Sequence, residues 1–141
     1  MKHHFVLRVV AKFAIPFILL YALYVQFHGD YGPGGGFQAG VIFAAAFILY
    51  ALIFGLDKAR HAAPPGVVRL GIALGVLIFA GTGVAGMLLG GKFLDYSVLA
   101  HDAAHGQHLG ILIVEFGVGV TVASVMISVF FAFAGRRPPE R

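Results

Sequence analysis

A chain of 141 residues that is 60% hydrophobic and 11% charged, with a mean hydropathy of +0.92, is too apolar to be an ordinary water-soluble domain. Its formal charge of +4 does not mark a nucleic-acid binder, because the Lys and Arg residues sit at the ends of apolar stretches, where they orient a chain in a membrane. The absence of Cys excludes disulfides, thiolate metal sites and cysteine chemistry.

The apolar content falls into four segments, residues 5 to 27, 37 to 56, 67 to 90 and 107 to 134. Each is near the roughly 20 residues that cross about 30 Å of hydrocarbon. The expected fold is an all-α integral membrane protein, a single membrane domain over residues 1 to 141 with four transmembrane helices. The first span starts among Lys2, Arg8 and Lys12 and runs on through Leu19, Leu20, Tyr21, Tyr24 and Phe27. It meets no small-residue cleavage site, so it is expected to be retained. Pro16 is expected to bend it by removing a backbone donor.

The loop of residues 28 to 36 carries Tyr31-Gly32-Pro33-Gly34-Gly35-Gly36, followed at once by Phe37. Consecutive glycines allow a sharp turn and a close backbone approach by another element. A phosphate-binding reading fails, since no Lys-Ser/Thr follows and no strand precedes. Span two then presents Gly40 with Ala44, Ala45 and Ala46. Span three holds two small-xxx-small pairs, Gly71 with Gly75 and Gly86 with Gly90, and also Gly83. Helices associate in lipid by close packing over such small residues, so these spans expect neighbours, within the chain or on other subunits. The loop of residues 91 to 106 mixes Lys92, Asp95, His101, Asp102 and His105 with Phe93, Leu94, Tyr96, Val98 and Leu99, and is expected at the interface.

Nine of the ten Lys and Arg residues lie at the N-terminus, between spans two and three, or after span four; Lys92 is the exception. The positive-inside rule then places both termini in the cytoplasm and both the Gly-rich loop and the 91 to 106 loop outside. Arg8, Lys12 and Arg69 read as anchors that reach the headgroups.

Glu115 is the acidic residue within a predicted span, flanked by Ile111 to Val114 and by Phe116, Val118 and Val120. A carboxylate in a membrane segment is costly and commonly marks an ion or proton pathway. The competing reading is a structural hydrogen bond to a neighbouring helix. His108 lies seven residues earlier, on about the same face and roughly 10 Å away along the axis. It could flank the same path or be an interfacial group. Thr121, Ser124 and Ser128 recur at helical spacing and are expected to bond between helices. His101, His105 and His108 share a helical face, but no carboxylate or Cys completes a ligand set, so no metal is expected. Nor does a cofactor motif or a nucleophile-base pair appear, and no enzyme is expected.

The block Gly32-Pro33-Gly34-Gly35-Gly36-Phe37-Gln38-Ala39-Gly40 resembles the B-type small subunit of the multisubunit Na+/H+ antiporters of the Mrp, Mnh or Pha type. Gly81-Thr82-Gly83-Val84 is similar to that family's Thr-Gly-Val segment, and Glu115-Phe116-Gly117-Val118 to its acidic-x-Gly-Val segment. Two departures stand out: Asp30-Tyr31 replaces a frequent His-Asn, and Glu115 a frequent Asp. The resemblance implies a small four-span subunit of an assembly in the bacterial cytoplasmic membrane that exchanges external protons for internal Na+. It further implies that large subunits related to complex I antiporter modules carry the main proton route, beside other small membrane subunits. On this reading Pro33, Gly34, Gly35, Gly36, Phe37, Gly40, Gly83 and Gly117 are packing or interface residues, and Glu115 and His108 are candidates for the ion path. Two alternatives are a self-contained homodimeric transporter of the small multidrug type and a purely structural subunit of a hydrogenase-like membrane complex. The first is disfavoured because that family places its carboxylate in span one, which has none here.

Overall fold

The computed structural model describes residues 5–28, 35–93 and 103–136. Among them the chain forms five helices, α1 (Phe5–His28), α2 (Gly36–Phe54), α3 (Leu56–Ala62), α4 (Pro65–Leu88) and α5 (Ala103–Ala134), and no strand. All but α3 are long and apolar enough to cross a membrane, as an all-α, four-span chain requires.

The breaks between helices have local causes. Gly55 takes φ 102° and ψ 154°, a region essentially reserved for glycine, and it separates α2 from the short α3. Pro65 stands in the first turn of α4, where its missing N–H is no loss. At the far end of α4, Gly90 adopts φ 95°, its N–H donating to the Met87 carbonyl at 3.1 Å while that of Gly91 donates to the Gly86 carbonyl at 2.9 Å. This is a Schellman ending that satisfies carbonyls otherwise left open. Gly86 and Gly90 are thus not a packing pair, as their spacing suggested, because Gly90 lies past the end of the helix.

Extensive packing runs α1 on α2, α2 on α5 and α5 on α4, while α1 touches α5 only slightly. The spans form a row with α5 between α2 and α4. Two small-residue faces of α5 explain its place. Glu115, Gly119 and Val122 face α2: a Cβ on Gly40 would stand 2.7 Å from the Gly119 carbonyl oxygen and 2.9 Å from Val122 Cβ. Gly117, Thr121 and Ser124 face α4: a Cβ on Gly75 would stand 2.6 Å from the Gly117 carbonyl oxygen, and one on Gly71 would meet the Ser124 hydroxyl. The Thr121 hydroxyl also donates across to the Ile72 carbonyl, at 3.5 Å.

The best-packed cluster gathers Ala44, Ala51, Ala59, Ala63, Val68, Ile127 and Phe131, where α3 folds under α2 and α5. The basic residues collect at this same end. The Arg8 guanidinium lies 5.3 Å and the Lys12 ammonium 5.8 Å from the centre of the Phe54 ring, and Arg60 lies against Gly135 just past α5. Large apolar side chains such as Phe5, Phe13, Phe17 and Leu88 point outward, as they do where lipid or other subunits are the surroundings.

Candidate functional site

The opposite end of the row holds Glu115. Its backbone carbonyl abuts Gly36, the first residue of α2, so closely that any Cβ there would collide with it; the same Cβ would stand 2.9 Å from the Glu115 carbonyl carbon and 3.1 Å from its Cα. The carboxylate turns toward Gly35, where a Cβ would lie 3.3 Å from Glu115 Oε1 and 3.3 Å from Gln38 Oε1. Gly35 and Gly36, the described end of the Gly-rich block, and the membrane carboxylate are therefore neighbours. Glycine at 36 is what lets the start of α2 rest directly on α5 at that level.

This contact sets the electrostatics. The first N–H groups of a helix have no partner within it, and the aligned peptide dipoles leave that end positive. Gly35, the N-cap of α2, supplies no side-chain hydrogen bond to them. The half-buried Glu115 carboxylate stands beside this positive end and meets part of its charge with backbone dipoles. Since α2 is 19 residues long, about 28 Å by helix rise, it barely spans the hydrocarbon. Glu115 is level with its first turn, so the carboxylate lies toward one edge of the membrane and not at mid-depth.

Of the other residues singled out from the sequence, Gly40 and Gly117 form the two glycine contacts flanking the site, on α2 and α5. Phe37, next to Gly36 on α2, is 62% exposed. Gly83 is buried, and the nearest group to a Cβ there is the ring of Phe93. Pro33 and Gly34 lie outside the described residues, and so does the side chain of His108, whose backbone belongs to α5. No group of His, Asp and Glu suited to a metal occurs among the described residues.

Two features were not read from the sequence. Gln26 of α1 is buried beside Gly119, its Oε1 2.9 Å from the position of a Cβ there. It also lines an apolar groove of about 460 Å³ bounded by Ala22, Gly40, Phe43, Gly119 and Ala123. A glutamine inside an otherwise apolar span was the available signal.

The chain matches, over residues 6–128, the family profile described as "Domain related to MnhB subunit of Na+/H+ antiporter". It belongs to this MnhB family. Among its relatives is a protein of Staphylococcus haemolyticus named "Putative antiporter subunit mnhB2", 35% identical over 133 residues that cover 92% of this chain and 94% of the relative. Proteins of the same name from Staphylococcus epidermidis and Staphylococcus aureus are 33% identical over 135 residues, covering 94% of this chain and 95% of theirs. The MnhB-related region takes in α1 to α4 and most of α5, and with them Glu115, Gln26 and every glycine contact described above between α2, α4 and α5.

Proposed function

We propose that this chain is a small membrane subunit of a multisubunit Na+/H+ antiporter of the bacterial cytoplasmic membrane, in which Glu115 is a station on the ion path. The observation that carries the role of Glu115 is its seat: a membrane carboxylate held against the open N-terminal turn of α2 by a glycine that admits no side chain. A group that served only to pin two helices would not need the backbone donors of a helix start at its side. The function is exchange across a membrane, without covalent chemistry. Na+ and H+ are its cargo, and the other members of the antiporter, large complex I-like subunits and small membrane subunits, are its partners. Both termini lie in the cytoplasm, a reading supported by the gathering of Arg8, Lys12 and Arg60 at one end of the row. The self-contained multidrug-type transporter and the hydrogenase-like assembly are not favoured, because the family match is to a subunit of an Na+/H+ antiporter.

The test is Glu115→Gln in the whole antiporter, assayed in everted vesicles by Na+-dependent collapse of a proton gradient, with assembly followed by native electrophoresis. An assembled complex that no longer exchanges is the expected result. Exchange at the parental rate would leave Glu115 a structural hydrogen-bonding group.

A further inference from the structure

Gln26 is enclosed by the helices without being satisfied by them. It is 5% exposed, and its Nε2 has no hydrogen-bond partner among the described residues. An amide donor that the helices leave unpaired inside a span is a penalty that a Leu or Met of similar size would remove. Thr82, the other buried polar side chain among the described residues, shows the usual remedy: its hydroxyl donates to the Ile78 carbonyl at 2.8 Å. Gln26 keeps an amide where packing alone favours an aliphatic chain.

Its position suggests why. Gly36 of α2 touches α5 at both Glu115 and Gly119, its carbonyl oxygen 3.2 Å and Gln26 Oε1 2.9 Å from the point where a Cβ of Gly119 would stand. Residues 115 and 119 are stacked on one face of α5, roughly one helical turn of 5.4 Å apart along the axis. The amide from α1 therefore meets α5 at Gly119, one helical turn from Glu115, and Gly36 rests on both residues. It also lines the apolar groove, whose wall does not include Glu115. Gln26 lines the groove beside Gly119, the residue one turn from Glu115 on α5.

We propose that Gln26 is a positioning residue of the ion path: its amide holds the water that exchanges protons with Glu115, between the carboxylate and the groove. The inference rests on the reading of Glu115 as an ion-path residue. An amide suits the task because it offers a donor and an acceptor, bears no charge to compete with the carboxylate, and turns easily about its terminal torsion. It can serve the water whichever way the proton moves.

The experiment compares Gln26→Leu, Gln26→Met and Gln26→Asn in the whole antiporter, with Glu115→Gln in parallel, measuring exchange rate, half-saturating Na+ and thermal stability of the purified complex. Gln26→Leu is expected to assemble with equal or higher thermal stability and to lose roughly tenfold or more in maximal exchange, with half-saturating Na+ unchanged. Gln26→Asn is expected to restore part of the rate, which a packing role would not produce. Parental exchange by assembled Gln26→Leu overturns the proposal. Failure of both Gln26→Leu and Gln26→Met to assemble also overturns it, since the amide is then a contact that holds the complex together. If Glu115→Gln is inactive while Gln26→Leu is fully active, only this proposal fails; if Glu115→Gln is active, the reading of Glu115 fails and this one with it.

Discussion

At Gly36 a missing side chain does the work, because the neighbour it would strike is backbone. The carbonyl of Glu115 cannot rotate aside as a long side chain could, so Gly36→Ala must push α2 away from α5. Overpacking of that kind costs about 1–3 kcal/mol. The expected outcome is a clear fall in the melting temperature of the detergent-purified chain. Gly81→Ala is the control: nothing lies within 4 Å of a Cβ there, and the change is expected to stay within about 0.5 kcal/mol. Equal effects at the two positions would show that α2 does not rest on Glu115 in the way described.

Among the elements, α5 organises the row because it carries two small faces offset along the same helix. Gly75→Ala, on the α4 side, meets the Gly117 carbonyl and the Thr121 amide nitrogen at 2.6 and 2.8 Å, so it is expected to loosen α4 as Gly36→Ala loosens α2. Gly55→Ala makes a different prediction. It has open space around it, yet its φ of 102° should cost on the order of 1–3 kcal/mol by strain alone, read as a lower melting temperature with no change in the α2–α5 contact. The four spans were legible because a bilayer demands long apolar runs, and the pair Gly71 and Gly75 because that spacing repeats on one helical face. Glu115 stood out as a charge among apolar neighbours. The seven-residue α3 was not legible: so short a segment carries no periodicity to separate it from the end of a span. Gly86 and Gly90 misled because one spacing serves both a packing face and a helix ending, and the positive φ that distinguishes them is invisible in sequence. The pairing of Gly36 with Glu115 was hidden by distance along the chain, although Gly36 and Gly40 lie four residues apart on one face of α2, as Glu115 and Gly119 do on α5.

For the molecule as a whole, the gathering of basic side chains at the α3 end makes orientation testable. Alkaline phosphatase joined after residue 97 is expected to be active, and joined after residue 58 or residue 141 inactive, if the α3 end faces the cytoplasm. The reverse pattern would turn the Glu115 end inward. The row of spans also leaves most of each helix uncovered: over an apolar 18-residue stretch of each span the share of residues buried ranges from 11% in α1 to 28% in α2. Such a chain is built to be completed by neighbours, in keeping with its membership of an antiporter subunit family.

The shortness of α2 bears on the division of electrical work. An elementary charge crossing the membrane exchanges about 2.3 kcal/mol with every 100 mV of potential, and that drop is spread over the low-dielectric thickness. A carboxylate level with the first turn of a span of about 28 Å stands near one end of the drop. On the proposed reading of Glu115, an ion that reached it from the nearer side would have traversed little of the voltage. On the ion path proposed above, most of the field then lies on the far side of Glu115, over a stretch that other subunits would share.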